Sequence, residues 1–290
     1  KHYEIPFKVY YVDLNELKIN IEINHSVIFI DDININEYSS VWFRRCNFYS
    51  YLNLYDLDFS SYELREYLSN EKKTLFNFIL KSIEKMPINK IGSPSFLDYN
   101  KLEILKIAQE VGFTIPNTQI TNYRNLIKIE KPISKPISEV FLRKIKNRIY
   151  ETSTQEIPKL NQLNEYFFYS LFQENIPKKI ECKSVFFNSK IYTLGLLTQD
   201  YDKTKTDSRN YSYIDEIKMI PINIPNHFEI LIQKFFNKIK LNFGIIDFII
   251  TPEFDFIFLE LNPFGQFDDI VEIGNYELYE DIVQFLNKKK

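Results

Sequence analysis

The stretch Phe243–Asp269, FGIIDFIITPEFDFIFLELNPFGQFDD, limits most sharply what this chain can fold into. Two apolar runs flank Thr251-Pro252-Glu253-Phe254-Asp255, a break that predicts an antiparallel hairpin with a short turn. A turn centred between Glu253 and Phe254 pairs positions whose numbers sum to 507, which sets Asp247 opposite Glu260. Directly opposed residues have Cβ atoms roughly 5 Å apart. Side chains alternate with period two, so Asn262 shares a face with Glu260. Two carboxylates held that close repel unless a cation lies between them, and unpaired buried charge is costly. Mg²⁺ suits such a set, because it favours one or two carboxylates together with substrate phosphates. The hairpin therefore reads as a nucleotide-phosphate site, against the plainer reading of a strand pair with solvated polar ends.

Composition narrows the field. A chain of 290 residues is long enough for two or three lobes. A net charge of −3 makes no global electrostatic case for nucleic acid or an anionic membrane. Basic clusters at Arg143–Arg148, Lys178–Lys183 and Lys288–Lys290 read as solvated faces or local phosphate contacts. Cys46 and Cys182 share no metal or redox spacing, which points to a reducing compartment. No apolar run is long enough to span a bilayer and no secretory signal opens the chain, so a cytoplasmic location is expected.

The first hundred residues mix strand and helix patterns. Phe7–Val12, Lys18–Ile23 and Val27–Ile30 predict strands, and Ser61–Met86 predicts one or two helices. Pro94 breaks the chain before a helix over Asp98–Val111 that ends at Gly112. Short strands follow near Thr118–Thr121, Ile133–Pro136 and Val140–Ile145, although Glu139–Tyr150 fits a basic helix equally well. Phe167–Glu174 and Ser184–Leu197 read as strands, Asn226–Lys240 as an amphipathic helix, and Tyr276–Asn287 as a closing helix. The fold class is α/β mixed with α+β.

Other motifs are weak one at a time. Lys101 opens a helix, where a cation is mildly unfavourable unless it serves an anion. Lys135-Pro136 ends a short apolar strand, but Lys131-Pro132-Ile133-Ser134 repeats as Lys135-Pro136-Ile137-Ser138, leaving a four-residue ambiguity. Gln173-Glu174-Asn175-Ile176 precedes Pro177, and a strand end of this kind leaves backbone groups able to read a base edge. Arg209 lies in a polar loop over Asp200–Tyr211 and suits developing phosphate charge. Each has a commoner reading as surface or loop.

Their order is more telling. A helix Lys, a Lys-Pro strand, a Gln-Glu-x-Ile hinge, an Arg loop and then Asp…Glu-x-Asn resembles the ATP-grasp superfamily of carboxylate–amine ligases. Val41-Trp42-Phe43-Arg44-Arg45, Lys135–Ser138, Asp207-Ser208-Arg209-Asn210-Tyr211 and Glu260-Leu261-Asn262-Pro263-Phe264-Gly265-Gln266-Phe267 resemble, more narrowly, the graspetide (microviridin-type) peptide maturases. The branch found in grasp-with-spasm clusters looks most similar.

That resemblance implies an ATP-grasp fold with a Rossmann-like N-terminal (pre-ATP-grasp) domain over 1–115, a central lobe over 116–176 and a C-terminal lobe over 177–290. It implies a further strand and helix ahead of Lys1. Lys101 and Lys135 would hold ATP phosphates, the hinge with Gln173, Glu174 and Ile176 would bind adenine, and Glu181 would meet the ribose. Asp247, Glu260 and Asn262 would ligate two Mg²⁺ ions, and Arg209, with Lys135, would serve catalysis. Lys183 stands where relatives often carry Arg, and no Gly-rich phosphate lid is recognisable. The implied activity is macrocyclisation of a ribosomally made precursor peptide with a leader, by a homodimer, through ester or amide bonds. A ligase for a small amine, or a silent nucleotide-binding peptide-recognition module, are the alternatives.

Overall fold

The computed structural model describes residues 6–9, 17–44, 62–138, 142–145, 148–151, 154–157, 159–198 and 218–288. Arg209 and its loop, Arg45, and residues 10–12 of the expected strand Phe7–Val12 lie outside these residues, and Phe7–Val9 form no strand. The backbone divides into two compact units, Lys1–Asp98 with Glu277–Lys290, and Tyr99–Tyr276. The expected lobe boundaries at 115 and 176 both fall inside the second unit.

In the first unit, β1 (Ile19–Glu22), β2 (Val27–Ile30) and β3 (Ile33–Asn34) form an antiparallel sheet. β4 (Ser40–Trp42), α1 (Tyr62–Lys85) and β5 (Asn89–Ile91) follow, and β4 pairs with β5 in parallel. The one or two helices expected over Ser61–Met86 are thus the single helix α1, and its Phe76, Ile79 and Leu80 pack with Ile28, Ile30, Ile35 and Phe43 in a common core. The parallel pair with a helix between its strands is a single β-α-β unit. The closing helix Leu278–Asn287 is tied to β5, where the Asn89 side chain donates to the carbonyls of Phe285 (3.3 Å) and Lys288 (2.6 Å).

The second unit opens with α2 (Lys101–Val111). It starts three residues later than the sequence pattern suggests because the Asn100 side chain accepts from Leu102 N at 2.9 Å, a standard N-cap. Gly112, at φ 106°, ends it in the left-handed region that only glycine adopts freely. β6 (Thr118–Tyr123), β7 (Pro132–Lys135), β8 (Leu142–Ile145), β9 (Arg148–Glu151), β10 (Gln155–Glu156) and β11 (Tyr166–Glu174) come next. β8 and β9 pair antiparallel, so Leu142–Ile145 and Arg148–Glu151 are strands rather than parts of the basic helix that fitted equally well. The remaining four form a sheet in the order β10-β7-β11-β6.

A five-stranded antiparallel sheet completes the unit. It holds β12 (Ile180–Phe187), β13 (Lys190–Leu196), β14 (Met219–Pro221), β15 (Phe243–Ile250) and β16 (Phe256–Asn262), ordered β14-β13-β12-β15-β16. α3 (Asn226–Ile239) buries Phe228, Ile232, Phe235 and Phe236, the i, i+4, i+7, i+8 stripe of a helix lying on a sheet. Phe236 stacks on Phe186 with ring centroids 4.1 Å apart, and Phe235 meets Phe258 at 5.4 Å. The Phe236 ring sits so close over Gly244 that a Cβ there would come within 2.9 Å of it. The short helix α4 (Asp268–Gly274), which the sequence pattern does not foretell, follows β16.

The β15–β16 hairpin carries one irregularity. From the turn to Phe248↔Phe258 the paired numbers sum to 506, and at Asp247↔Glu260 and Ile245↔Asn262 they sum to 507. Leu259 is the extra residue of a β-bulge, and a bulge re-aims every side chain beyond it. Phe256 and Phe258 face α3, in ring contact with Phe228 and Phe235. In an unbulged strand Glu260 would pair with Ile246 and share that aromatic face; with Leu259 bulged out, Glu260 turns to the opposite face beside Asp247. Among the described residues no helix is long and apolar enough to cross a membrane.

Candidate active site

The face of the five-stranded sheet away from α3 forms one side of a cleft within the second unit. β7, β11 and the start of α2 supply the rest of its wall, and it holds about 1280 Å³ of space, its open mouth included.

The floor is a row of charges across three strands. The register sets Lys183 on β12 beside Asp247 on β15, and Asp247 beside Glu260 on β16. Lys101, first residue of α2, brings its Nζ to 3.8 Å from Glu260 Oε2. The order is cation, carboxylate, carboxylate, cation. Each carboxylate thus has a lysine on its outer side, which offsets the repulsion between them. Because Lys101 and Glu260 are 27% and 46% exposed, the ion pair between them adds little stability, and its significance lies in what it positions.

The other expected residues distribute unevenly. Lys135, at the end of β7, lines the cleft, whereas Lys131 is exposed and has φ 46°. Gln173, Glu174 and Ile176 line it beside Ile133 and Leu171. Glu181 also faces the cleft, and its Oε2 accepts from Lys178 Nζ at 2.7 Å. Both side chains of that pair are nearly buried, at 7% for Lys178 and 13% for Glu181. Lys178 is therefore no solvated-face lysine, contrary to one reading of the Lys178–Lys183 cluster. Pro177 stops the preceding segment and β12 begins only at Ile180, so no strand period revealed where Lys178 points.

Asn262 stands apart from the two carboxylates. It is exposed, and its Oδ1 accepts from Phe264 N at 3.2 Å, closing the turn after β16. Gly265 packs so near that a Cβ there would lie 3.2 Å from Asn262 Cγ and 2.6 Å from Ile245 Cδ1. Tyr99, absent from the sequence reading, lines the cleft and donates its hydroxyl to Leu261 O at 2.7 Å, tying the entry of α2 to β16. Nothing in its sequence context marks it.

The donor set suits Mg²⁺. Asp247 and Glu260 offer adjacent hard oxygens, and among the described residues no group of three or more His, Cys, Asp or Glu forms a metal cage. Two carboxylates with room for phosphates and water is the pattern Mg²⁺ takes with nucleotides.

No family model matches the chain, and no curated protein does. Solved structures do. A RiPP-associated ATP-grasp ligase from Chryseobacterium gregarium, in complex with ADP and a leader and core peptide, is 24% identical, with TM-score 0.74 over 89% of this chain and 81% of its own. The macrocyclase MdnC of Microcystis aeruginosa, bound with precursor peptide MdnA, is 22% identical, with TM-score 0.74 over 93% of this chain and 86% of its own. The ATP-grasp ligase PsnB with its minimal precursor is 15% identical, with TM-score 0.75 over 96% of this chain and 88% of its own. PsnB has also been solved with Mg and ADP beside that precursor. The likeness in backbone extends over nearly the whole chain: it has the ATP-grasp fold.

Proposed function

We propose that this chain is an ATP-dependent ligase that closes rings in a ribosomally made precursor peptide. The observation that carries the reading is the row Lys183–Asp247–Glu260 with Lys101 at its end, facing a cleft that Ile133, Leu171 and Ile176 also line. The fold's likeness to ligases solved with leader, core or precursor peptides supports the choice of substrate.

The chemistry divides into two transfers. An Asp or Glu side-chain carboxylate of the peptide attacks the γ-phosphorus of ATP, the bond to the β-phosphate oxygen breaks, and ADP leaves. The acyl phosphate is then attacked by a Ser or Thr hydroxyl, or a Lys amine, of the same peptide. An ester or amide forms, the nucleophile loses a proton and phosphate departs, so the peptide loses one water per ring. No covalent nucleophile of the enzyme is required, and rate comes from positioning and charge neutralisation.

The residues divide that work by position. Ile133, Leu171 and Ile176 form the slot for the base, and Glu181 is the carboxylate beside it for the ribose. Lys101 and Lys135 reach the phosphates, and Lys183 extends the positive field to the transferred group. Asp247 and Glu260, joined by Asn262 after release of its turn contact, would hold two Mg²⁺, which would supply charge neutralisation for the phosphates. Arg209 is assigned to the transferred phosphoryl group or the tetrahedral intermediate. The protein acts as a homodimer in the cytoplasm and takes its peptide through the leader.

Intact-mass analysis of the neighbouring precursor peptide, incubated with the protein, ATP and Mg²⁺, tests the proposal. Loss of one or more waters with release of ADP and phosphate is expected. ATP turnover without a peptide mass change would indicate a ligase for a small amine instead, and absence of both would overturn the enzymatic reading.

A further inference from the structure

β16 is the edge strand of the five-stranded sheet, and the two flanks of α2 are tied to its outer side. Tyr99, two residues ahead of Lys101, donates its hydroxyl to Leu261 O at 2.7 Å. Beyond the far end of the helix Phe258 N donates to Thr114 O at 2.9 Å, and Thr114 forms a parallel bridge with Ile257. The two ties bracket Leu259 and Glu260, the bulged stretch where the ladder to β15 shifts register. A bulge in an edge strand is a weak point, because pairing on the inner side is disrupted and no further strand lies outside it. Tyr99 closes the bracket at the end that holds the charges. Glu260 immediately precedes the carbonyl it grips, and Lys101 Nζ lies 3.8 Å from Glu260 Oε2.

Local structure alone would not keep Lys101 in that place. It is the first residue of α2, where the helix dipole repels a cation, and a lysine side chain has wide rotamer freedom. The Asn100 side chain closes the first turn from within the helix, and the Tyr99 hydroxyl joins that turn to β16. From this geometry we infer that Tyr99 is a positioning residue: its hydroxyl, held on Leu261 O, sets where the Lys101 ammonium stands over Glu260 and so the point from which Lys101 reaches a nucleotide phosphate. The inference rests on the nucleotide reading of the cleft. Tyr99 acts through Lys101, so its loss counts only while Lys101 is present. A phenylalanine at this position keeps the ring and removes the one atom that makes the tie. The ammonium then has more positions open to it, neutralises Glu260 less, and meets a phosphate less often in the right place.

The test is a double-mutant cycle of Tyr99→Phe and Lys101→Met in the full chain, with ATP binding in the presence of Mg²⁺ followed by calorimetry. Tyr99→Phe should weaken ATP binding about three- to tenfold, the range of one net hydrogen bond. Lys101→Met should weaken it more, and adding Tyr99→Phe to Lys101→Met should change nothing further. Binding of Mn²⁺ alone, followed by electron paramagnetic resonance, is a readout that a merely structural tyrosine would not move. Loosening the ammonium from Glu260 should raise Mn²⁺ affinity in Tyr99→Phe, in the same direction as in Lys101→Met and by less. Equal losses of ATP affinity on adding Tyr99→Phe to the wild type and to Lys101→Met would overturn the inference and leave the nucleotide cleft standing. Wild-type affinity for both ligands in Tyr99→Phe, or weakened Mn²⁺ binding, would do the same. A Tyr99→Phe protein whose melting curve shows it unfolded at the assay temperature would make the tyrosine a residue of the fold and overturn the inference as well. Failure of the wild-type protein to bind ATP would overturn the cleft reading and this inference together.

Discussion

Asp247 and Glu260 divide their charge between two lysines, and each side chain of the row has a separable task. Replacing Asp247 by Asn keeps the shape and removes the charge. On the proposed function it should lower ATP turnover by about a hundredfold or more, because the metal charge that Asp247 would hold is worth several kcal/mol at the transition state. Steady-state assay beside a melting curve checks that the loss is chemical and not structural. Lys101→Met makes a less obvious forecast. Removing the ammonium 3.8 Å from Glu260 should weaken ATP binding, yet strengthen binding of Mg²⁺ alone, which no longer competes with it. Titration with Mn²⁺ followed by electron paramagnetic resonance would show the second effect. Tyr276 gives a pH signature. Burial first, opposed by the bond its hydroxyl makes to Thr193 O, holds its pKa above the usual tyrosine value. A group with a raised folded-state pKa contributes stability that is complete below its unfolded pKa and is lost as pH rises through the folded one. Melting temperatures should fall above pH ~10, and the fall should be shallower in Tyr276→Phe.

At the level of elements, the hairpin decides most. Its turn is a tight loop in which Phe254 N donates to Thr251 O and Thr251 N to Asp255 O, with Phe254 at φ 68°. Deleting Leu259 should remove the bulge yet leave Glu260 directly after Phe258, so that simple alternation keeps it opposite Asp247 on the cleft face. The variant should therefore fold with the Asp247–Glu260 pair intact, and a melting curve beside an ATP-binding titration checks this. Phe258→Ala, from a fully buried position between Phe113 and Phe235, should cost about 3–5 kcal/mol in denaturant unfolding. The hairpin also shows what was legible in the sequence. Its apolar runs and Pro252 gave the strands and the turn, and the pairing of Asp247 with Glu260 emerged from simple counting. That count assumed a turn centre half a residue late and no bulge, and the two departures cancel at the site. Asn262 followed the same period, but its side chain answers a nearer call from Phe264 N. Tyr99 and Lys178 were illegible for a common reason: each is placed by contacts with strands or segments remote from it or by a chain break, and local pattern carries no record of those. The helix α4 was hidden because Pro263 and Gly265 read as loop just before it.

Across the whole molecule, the fold keeps its thiol out of play. Cys182 is fully buried on the α3 side of β12, and burial, with Glu181 beside it, pushes its thiol up beyond the range in which thiolate forms. In a Cys46→Ser background, alkylation of Cys182 should be negligible in the native protein and should rise only as the five-stranded sheet opens, so its rate measures global stability. The two units are each cored by their own aromatic and aliphatic cluster, and the whole candidate cleft belongs to the second. The bulge at Leu259 has a consequence for how such a chain can vary. Strand position is read modulo two, and the bulge acts as a parity bit that separates an oily register from an acidic one. Changes of length confined to the turn between Thr251 and Asp255 leave that bit untouched. Loss of the one residue between Phe258 and Glu260 reaches the same reading by another route, because Glu260 then follows Phe258 directly and alternation alone sets it opposite Asp247. The code is thus degenerate: the strand can be read correctly with the extra residue bulged out or with it gone.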